Sequence, residues 1–306
     1  MFDWIKRLAA IASLSFLSAC GGGDSDPTVV EIAKSDTRFS ILAEAVVAAD
    51  LAGTLSGPGP FTVFAPTNEA FAALLGELGL SKEQLLANKP LLTAVLSYHV
   101  LPARVERSAV PLGRAITPLQ GGIFKVDSVG GQLKITDGRN RSSTITATDL
   151  HASNGIVHVI DRVLLPADKT LVQTALAAPD FSILVEAVTA ANLAGTLSGT
   201  GPFTVFAPTN AAFAALLAEL NVSKAQLLAD TALLTKVLTY HVLPARVLKA
   251  EVPVGAAITT VQGQAFSIDA SLQITDANGR KAGIVSTDLL ASNGVIHVID
   301  KVILPR

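Results

Sequence analysis

One cysteine and five histidines hold most of the nucleophilic and metal-binding capacity of this 306-residue chain. Cys20 stands alone, so neither a disulfide framework nor a zinc site built on several thiolates can form within the chain. The histidines are His99, His151, His158, His241 and His297, and none stands in a His-Glu-x-x-His or His-x-x-x-His pair. No metal and no cofactor is therefore expected. No Gly-x-Ser-x-Gly elbow activates a serine, and no Walker or dinucleotide glycine pattern is present. The chain reads as a binding protein, not an enzyme. Each of His99 and His241 follows an apolar helical stretch and a tyrosine, and precedes a proline turn. Three roles are open to them: an internal imidazole hydrogen-bonded to backbone, a partner contact, or a metal ligand. His158 and His297 share strand faces with Ile156/Ile160 and Val295/Ile299, and read as structural and partly buried. His151 has Leu290 or a gap opposite it in the second half of the chain.

The cysteine has a different use. Lys6 and Arg7 precede the apolar run Leu8 to Leu17, which is too short to span a bilayer and fits a secretory signal. Leu17-Ser18-Ala19-Cys20 then resembles a bacterial lipobox. That resemblance implies removal of residues 1–19 as a lipoprotein signal peptide and lipidation of Cys20. Residues 20–28 become a lipidated cysteine and a flexible tether, of which the eight residues Gly21 to Thr28 reach about 26 Å at full stretch. Gly21 after the cysteine favours the outer membrane. The expected location is exported and lipid-anchored to the cell envelope, periplasmic or surface-exposed.

Composition excludes other partners. Half the residues are apolar, 16% are charged and the formal net charge is −2. That is enough apolar residue to fill real cores, and there is no basic surplus to neutralise phosphates, so nucleic acid is not a partner.

The elements that position these residues come twice. Phe39 to Val46 returns with one change as Phe181 to Val188, Phe61 to Asn68 returns unchanged as Phe203 to Asn210, and Tyr98 to Val105 returns unchanged as Tyr240 to Val247. A small deletion in the second copy falls where Ser128 to Gln132 faces Ala270 to Gln273. The period is that of a whole domain, not of a solenoid unit. The domains are read as 29–166 and 170–305, joined by the short link Pro166 to Thr170 that should hold them close. Within each copy helices come first: apolar residues recur at helical spacing from Phe39, Thr67 caps a helix over 68–78, and Ser81 to Gln84 forms a capping box. Leu51 to Gly53 and Ser56 to Pro60 should break the first helix. Strands follow: Phe124 to Val129 and Gln132 to Thr136 alternate, Asn154-Gly155 marks a hairpin through positive φ, and Ile156 to Leu165 reads as a central strand. Helices segregated from a mainly antiparallel sheet make an α+β fold.

Three stretches, each present twice and in the same order, carry a family resemblance. Phe61-Thr-Val-Phe-Ala-Pro-Thr-Asn68 with Ala70-Phe71 resembles the first signature block of fasciclin domains. Tyr98-His99-Val100 resembles their central Tyr-His motif, and Asn154-Gly-Ile-Val-His158-Val-Ile-Asp161 with Pro166 resembles their closing block. The resemblance implies two fasciclin-type domains, each a β-sandwich wedge flanked by helices, and a role in adhesion. It also implies partner binding around the Tyr-His motif, here Tyr98, His99, Tyr240 and His241. Arg104 and Arg246, which recur beside that motif, join them as candidate partner-binding residues. The loops Ser56 to Pro60 and Ser198 to Pro202, and the basic tips Arg139-Asn140-Arg141 and Arg280-Lys281, are further candidate contacts. The expected function is adhesion to a cell-surface or extracellular polysaccharide or protein, as in a biofilm matrix. The alternative is an envelope module binding a small apolar ligand or lipid, which calls for a large apolar cavity.

Overall fold

The computed structural model describes residues 26–306. The expected signal peptide, Cys20 and most of the expected tether lie outside the described residues. Helices α1 (Val29–Ser35), α2 (Ser40–Ala48) and α3 (Ala52–Ser56) lead to strand β1 (Phe61–Pro66), and α4 (Asn68–Leu78), α5 (Lys82–Ala87) and α6 (Lys89–Tyr98) follow. The strand-rich half holds β2 (Val100–Leu101), β3 (Ala115–Ile116), β4 (Phe124–Val129), β5 (Gln132–Thr136), β6 (Ser142–Ala152) and β7 (Gly155–Ile160).

The second half repeats this order. Its helices are α7 (Leu171–Leu176), α8 (Ser182–Ala190), α9 (Ala194–Leu197), α10 (Asn210–Leu220), α11 (Lys224–Ala229) and α12 (Thr231–Tyr240), with β8 (Phe203–Pro208) between α9 and α10. Then come β9 (Val242–Leu243), β10 (Ala257–Thr259), β11 (Ala265–Ile268), β12 (Gln273–Thr275), β13 (Lys281–Ala291) and β14 (Gly294–Ile299). No described helix is long and apolar enough to cross a membrane.

Each half forms a seven-stranded sheet, β2-β1-β7-β6-β5-β4-β3 in the first and the equivalent order β9-β8-β14-β13-β12-β11-β10 in the second. Pairing is antiparallel except that β1 runs parallel to β7, and β8 to β14. The 11-residue β6 joins two groups of strands: its start pairs with β5, the rest with β7. Its register shifts between Ile145 and Leu150, and Asp149 there takes φ 61°. Such a bulge bends a strand, and the sheet folds over on itself into a wedge. Two cores result. Val63, Ala65, Val157 and Val159 face the helices, where Phe39, Phe71 and Leu92 pack. Phe64 and Ile160 point the other way, into the wedge with Tyr98, Phe124 and Ile135. Because β1 and β7 are covered on both faces, all six residues of β7 are buried, as a central strand requires, but the strand ends at Ile160 and not at the expected Leu165.

Local signals held where local contacts form the element. Thr67 Oγ1 accepts from the N–H of Ala70 at 3.3 Å, and Ser81 with Gln84 closes a reciprocal capping box. The expected helix break after Ala48 is incomplete, because α3 stands inside it. Asn154 Nδ2 donates to the carbonyls of Leu55 and Gly57, both at 2.8 Å, which fixes the end of that single turn. The Asn154-Gly155 hairpin is present, but neither residue takes a positive φ. Asn154 instead accepts from the N–H of Val29 at 3.0 Å, pinning α1. Gly155 is required by close approach: a Cβ there would stand 2.3 Å from the Phe61 carbonyl oxygen. Gly155→Ala is expected to cost about 2–3 kcal/mol by forcing β1 and β7 apart, measured as a lower denaturant midpoint. An unchanged midpoint would mean that the strands yield freely.

The two halves meet across a seam. Lys125 Nζ reaches Asp288 Oδ2 at 2.8 Å, with Asp288 only 2% exposed in its side chain. Asn140 accepts from the N–H of Leu290 at 2.7 Å and donates to its carbonyl at 3.0 Å. Ile123, Leu248, Leu290 and Val295 form an apolar cluster between them.

Candidate functional site

The Tyr-His motif ends α6, and the wedge closes over it. Tyr98 is fully buried; its hydroxyl donates to the carbonyl of Ile123, and burial pushes its pKa well above the ordinary phenol value. His99 is also buried. Its Nδ1 donates to the Val95 carbonyl at 2.7 Å, and its Nε2 accepts from the N–H of Leu164 at 2.9 Å. Burial pulls the imidazole down to about 4, against the hydrogen bond to Val95 and the charge of Asp137. The second copy repeats the arrangement. Tyr240 donates to Ala265 at 2.9 Å, and His241 bridges Val237 at 2.8 Å and Ile303 at 3.2 Å, again with a value near 4. These four side chains tie the ends of α6 and α12 to the distant backbone of Ile123, Leu164, Ala265 and Ile303. A direct partner contact by them is corrected by this placement, since no polar atom of the motif is left at the surface.

What they position is the loop that follows. Thr62 Oγ1 donates to the Ala103 carbonyl at 2.6 Å and accepts from the N–H of Val105 at 2.8 Å. His158 Nε2 donates to the Val105 carbonyl at 2.8 Å, and burial lowers that imidazole as well. Thr204 and His297 clamp Ala245 and Val247 in the same way. Each loop presents one arginine from a backbone fixed on both sides. Thr62 was missed by sequence reasoning; its signal was a hydroxyl on the Phe64 face of a core strand, repeated as Thr204.

The two arginines differ. Arg104 is exposed, donates to the Gly155 carbonyl at 3.2 Å, contacts His151 Nδ1 at 2.7 Å and approaches Glu106 at 3.9 Å. Arg246 is half-buried, and its Nε has no hydrogen-bond partner.

The arginines of the basic tips are paired, whereas Lys281 is exposed. Arg141 is held by Asp137 at 2.8 Å and also meets Glu77, Arg139 pairs with Asp168 at 2.9 Å, and Arg280 pairs with Glu219 at 2.6 Å. Asn140 of the same turn is committed to the seam. The loops Ser56 to Pro60 and Ser198 to Pro202 are largely exposed, and Asn154 and Asn293 hold their bases.

Internal space is small. The voids between helices and sheet measure about 40 Å³ in the second half and about 30 Å³ in the first. Drug-sized ligands occupy roughly 300 Å³ or more, so these voids give the small apolar ligand no room. Three clefts are larger: an apolar one of about 180 Å³ beside Phe213, Leu234 and Leu304, still below that size, and two of about 350 and 300 Å³ that flank the seam and carry polar as well as apolar groups.

The fasciclin domain family model matches residues 37–166 and again 179–305. The chain is similar to the transforming growth factor-beta-induced protein ig-h3 of Sus scrofa, 32% identical over 254 residues, covering 82% of this chain and 35% of that protein. It thus spans about a third of that relative's length. It is also similar to protein sll1483 of Synechocystis sp., 44% identical over 144 residues, covering 47% of this chain and 76% of that protein. Among solved structures, a FAS1 domain pair from the insect cell adhesion molecule Fasciclin I aligns with a TM-score of 0.43 at 17% identity, over 90% of this chain and 95% of that one.

Proposed function

The chain belongs to the fasciclin domain family, and from that premise we propose that it is an adhesion protein of the cell envelope. It is exported, anchored through a lipid on Cys20, and holds an extracellular polysaccharide or protein through its paired domains. It acts by binding and not by catalysis. The observation that carries this reading is the fate of the reactive side chains. His99, His158, His241 and His297 are buried, and each uses both ring nitrogens on main-chain atoms. Chemistry is thereby left to the surface, where Arg104 stands on a clamped loop. A fixed loop loses little conformational freedom on contact. Two domains docked through a seam meet a repetitive polymer in one geometry, which favours simultaneous contacts.

Arg104→Ala is expected to weaken attachment to extracted surface polysaccharide by about fivefold, the loss of one exposed charged contact. Equal binding by the variant would move the contact away from this loop. The anchor has its own test: Cys20→Ser should move the protein from the membrane to the soluble fraction. Retention of that variant in the membrane would exclude lipidation as the anchor.

A further inference from the structure

The duplication kept an arginine and removed what it binds. In the first copy Arg104 is neighboured by His151 at 2.7 Å and Glu106 at 3.9 Å. The corresponding residues of the second copy are Leu290 and Leu248. Both leucines are buried, 1% and 0% exposed, in the apolar cluster of the seam. The exchange serves domain docking and strands Arg246. Its Nε is buried without a hydrogen-bond partner, and burial disfavours its charge. Glu251 is the carboxylate that acts on it through space, yet both oxygens of Glu251 are engaged by backbone, Oε2 with Leu248 at 3.0 Å and Oε1 with Ala115 at 3.3 Å. A half-buried guanidinium without a partner is costly unless something completes it.

Arg246 lines the seam cleft of about 300 Å³, with Gln120, Ile123 and Ala167 from the first half and link and Ser292 from the second. We propose that this cleft binds a small monocarboxylate, with Arg246 as its charged anchor. A guanidinium edge offers two parallel N–H donors that match one carboxylate. Gln120 and Ser292 supply polar side chains for hydroxyls, and Ile123 supplies an apolar wall. Nearby Glu251 repels a doubly charged anion more than a singly charged one, which favours carboxylate over phosphate. A sugar acid combines these features. The site needs both halves, so a single copy of the domain does not contain it. The inference stands apart from the adhesion reading, because it concerns a small solute and not attachment.

The test is a titration of the soluble chain from Gly21 onward, followed through the Arg246 Nε–H resonance. The probes are D-glucuronate, D-glucose and D-glucose 6-phosphate. Glucuronate is expected to shift this resonance saturably, and glucose to leave it in place. Arg246→Lys should bind about tenfold more weakly or worse, because the paired donors are lost; backbone amides of the cleft report this variant. Lys34→Gln, at an exposed residue of α1 that does not line the cleft, should bind as the parent does. Unchanged thermal midpoints would show that both variants fold. The proposal is overturned by the absence of a saturable shift, by equal binding in Arg246→Lys, by glucose matching glucuronate, or by tighter binding of the 6-phosphate.

Discussion

Acidification from pH 7 to pH 4 is expected to remove much of the chain's stability, before most exposed carboxylates protonate. His99 and His241 titrate near 4 in the folded chain, against 6.5 for a free imidazole, and burial is the main cause in both. Between these values the unfolded chain binds more protons than the folded one, so stability falls as pH falls. The contribution is fully present above about pH 6.5, and its loss is complete once pH passes the folded value near 4. The gap corresponds to on the order of 3 kcal/mol for each histidine. His158 and His297 are shifted the same way by burial and add to the trend. Carboxylates such as Glu31 and Asp36, held below their ordinary values by hydrogen bonds, lose their contribution at still lower pH. Denaturant midpoints at pH 7, 5.5 and 4, and again at a pH below the carboxylate range, separate the two windows. A flat profile from 7 to 4 would mean that the imidazoles protonate inside the fold, and would contradict their assignment as neutral backbone bridges.

Asp137→Ala is expected to cost the first half about 3–5 kcal/mol, the usual consequence of removing one partner from a buried ion pair. Asp137 is 1% exposed and accepts from five donors. Two belong to the Arg141 guanidinium, at 3.0 and 2.8 Å, and three are the backbone N–H groups of Arg139, Arg141 and Leu165. The bond to Leu165 fixes the chain just before the link. The turn it closes also presents Asn140 to Leu290. The substitution should therefore loosen the seam as well as the fold, and amide exchange at Leu290 should quicken. Asp276, its counterpart, accepts from the N–H groups of Asn278, Arg280 and Leu304, each at 2.9 Å, but no arginine pairs with it. Asp276→Ala should cost less, about 1–3 kcal/mol. Equal costs for the two substitutions would show that the Arg141 pair contributes nothing.

Features set by neighbours in sequence were legible before the structure. Thr67 and the alternation of Phe124 to Val129 and Gln132 to Thr136 gave their elements with correct bounds, and Ser81 gave the start of its helix, because caps and pleats depend on residues a few positions apart. The family blocks fixed the α+β architecture for the same reason that they recur: Phe61 to Asn68 fills a core strand and turns its corner. What sequence could not show depends on distant partners. The surroundings of Tyr98 and His99 come from Ile123 and Leu164, so a motif that looked available for contact is interior. Asn154 marked a hairpin, but its side chain serves α1 and α3, which lie about a hundred positions away. Arg139 to Arg141 read as a basic tip until Asp137, Asp168 and Leu290 were placed around it. The contrast between Arg104 and Arg246 was hidden in an identical octapeptide, because it resides in Glu106, His151, Leu248 and Leu290 outside the repeat.

The central claim is that this paired-domain chain binds an extracellular polymer through its surface. It is tested most directly by a binding isotherm. Soluble protein from Gly21 onward is applied to cells of the producing organism and to their extracted surface polysaccharide. Saturable attachment to the cells or to the polysaccharide is the predicted result. Absence of attachment to both, with the protein shown to be folded, would contradict the account.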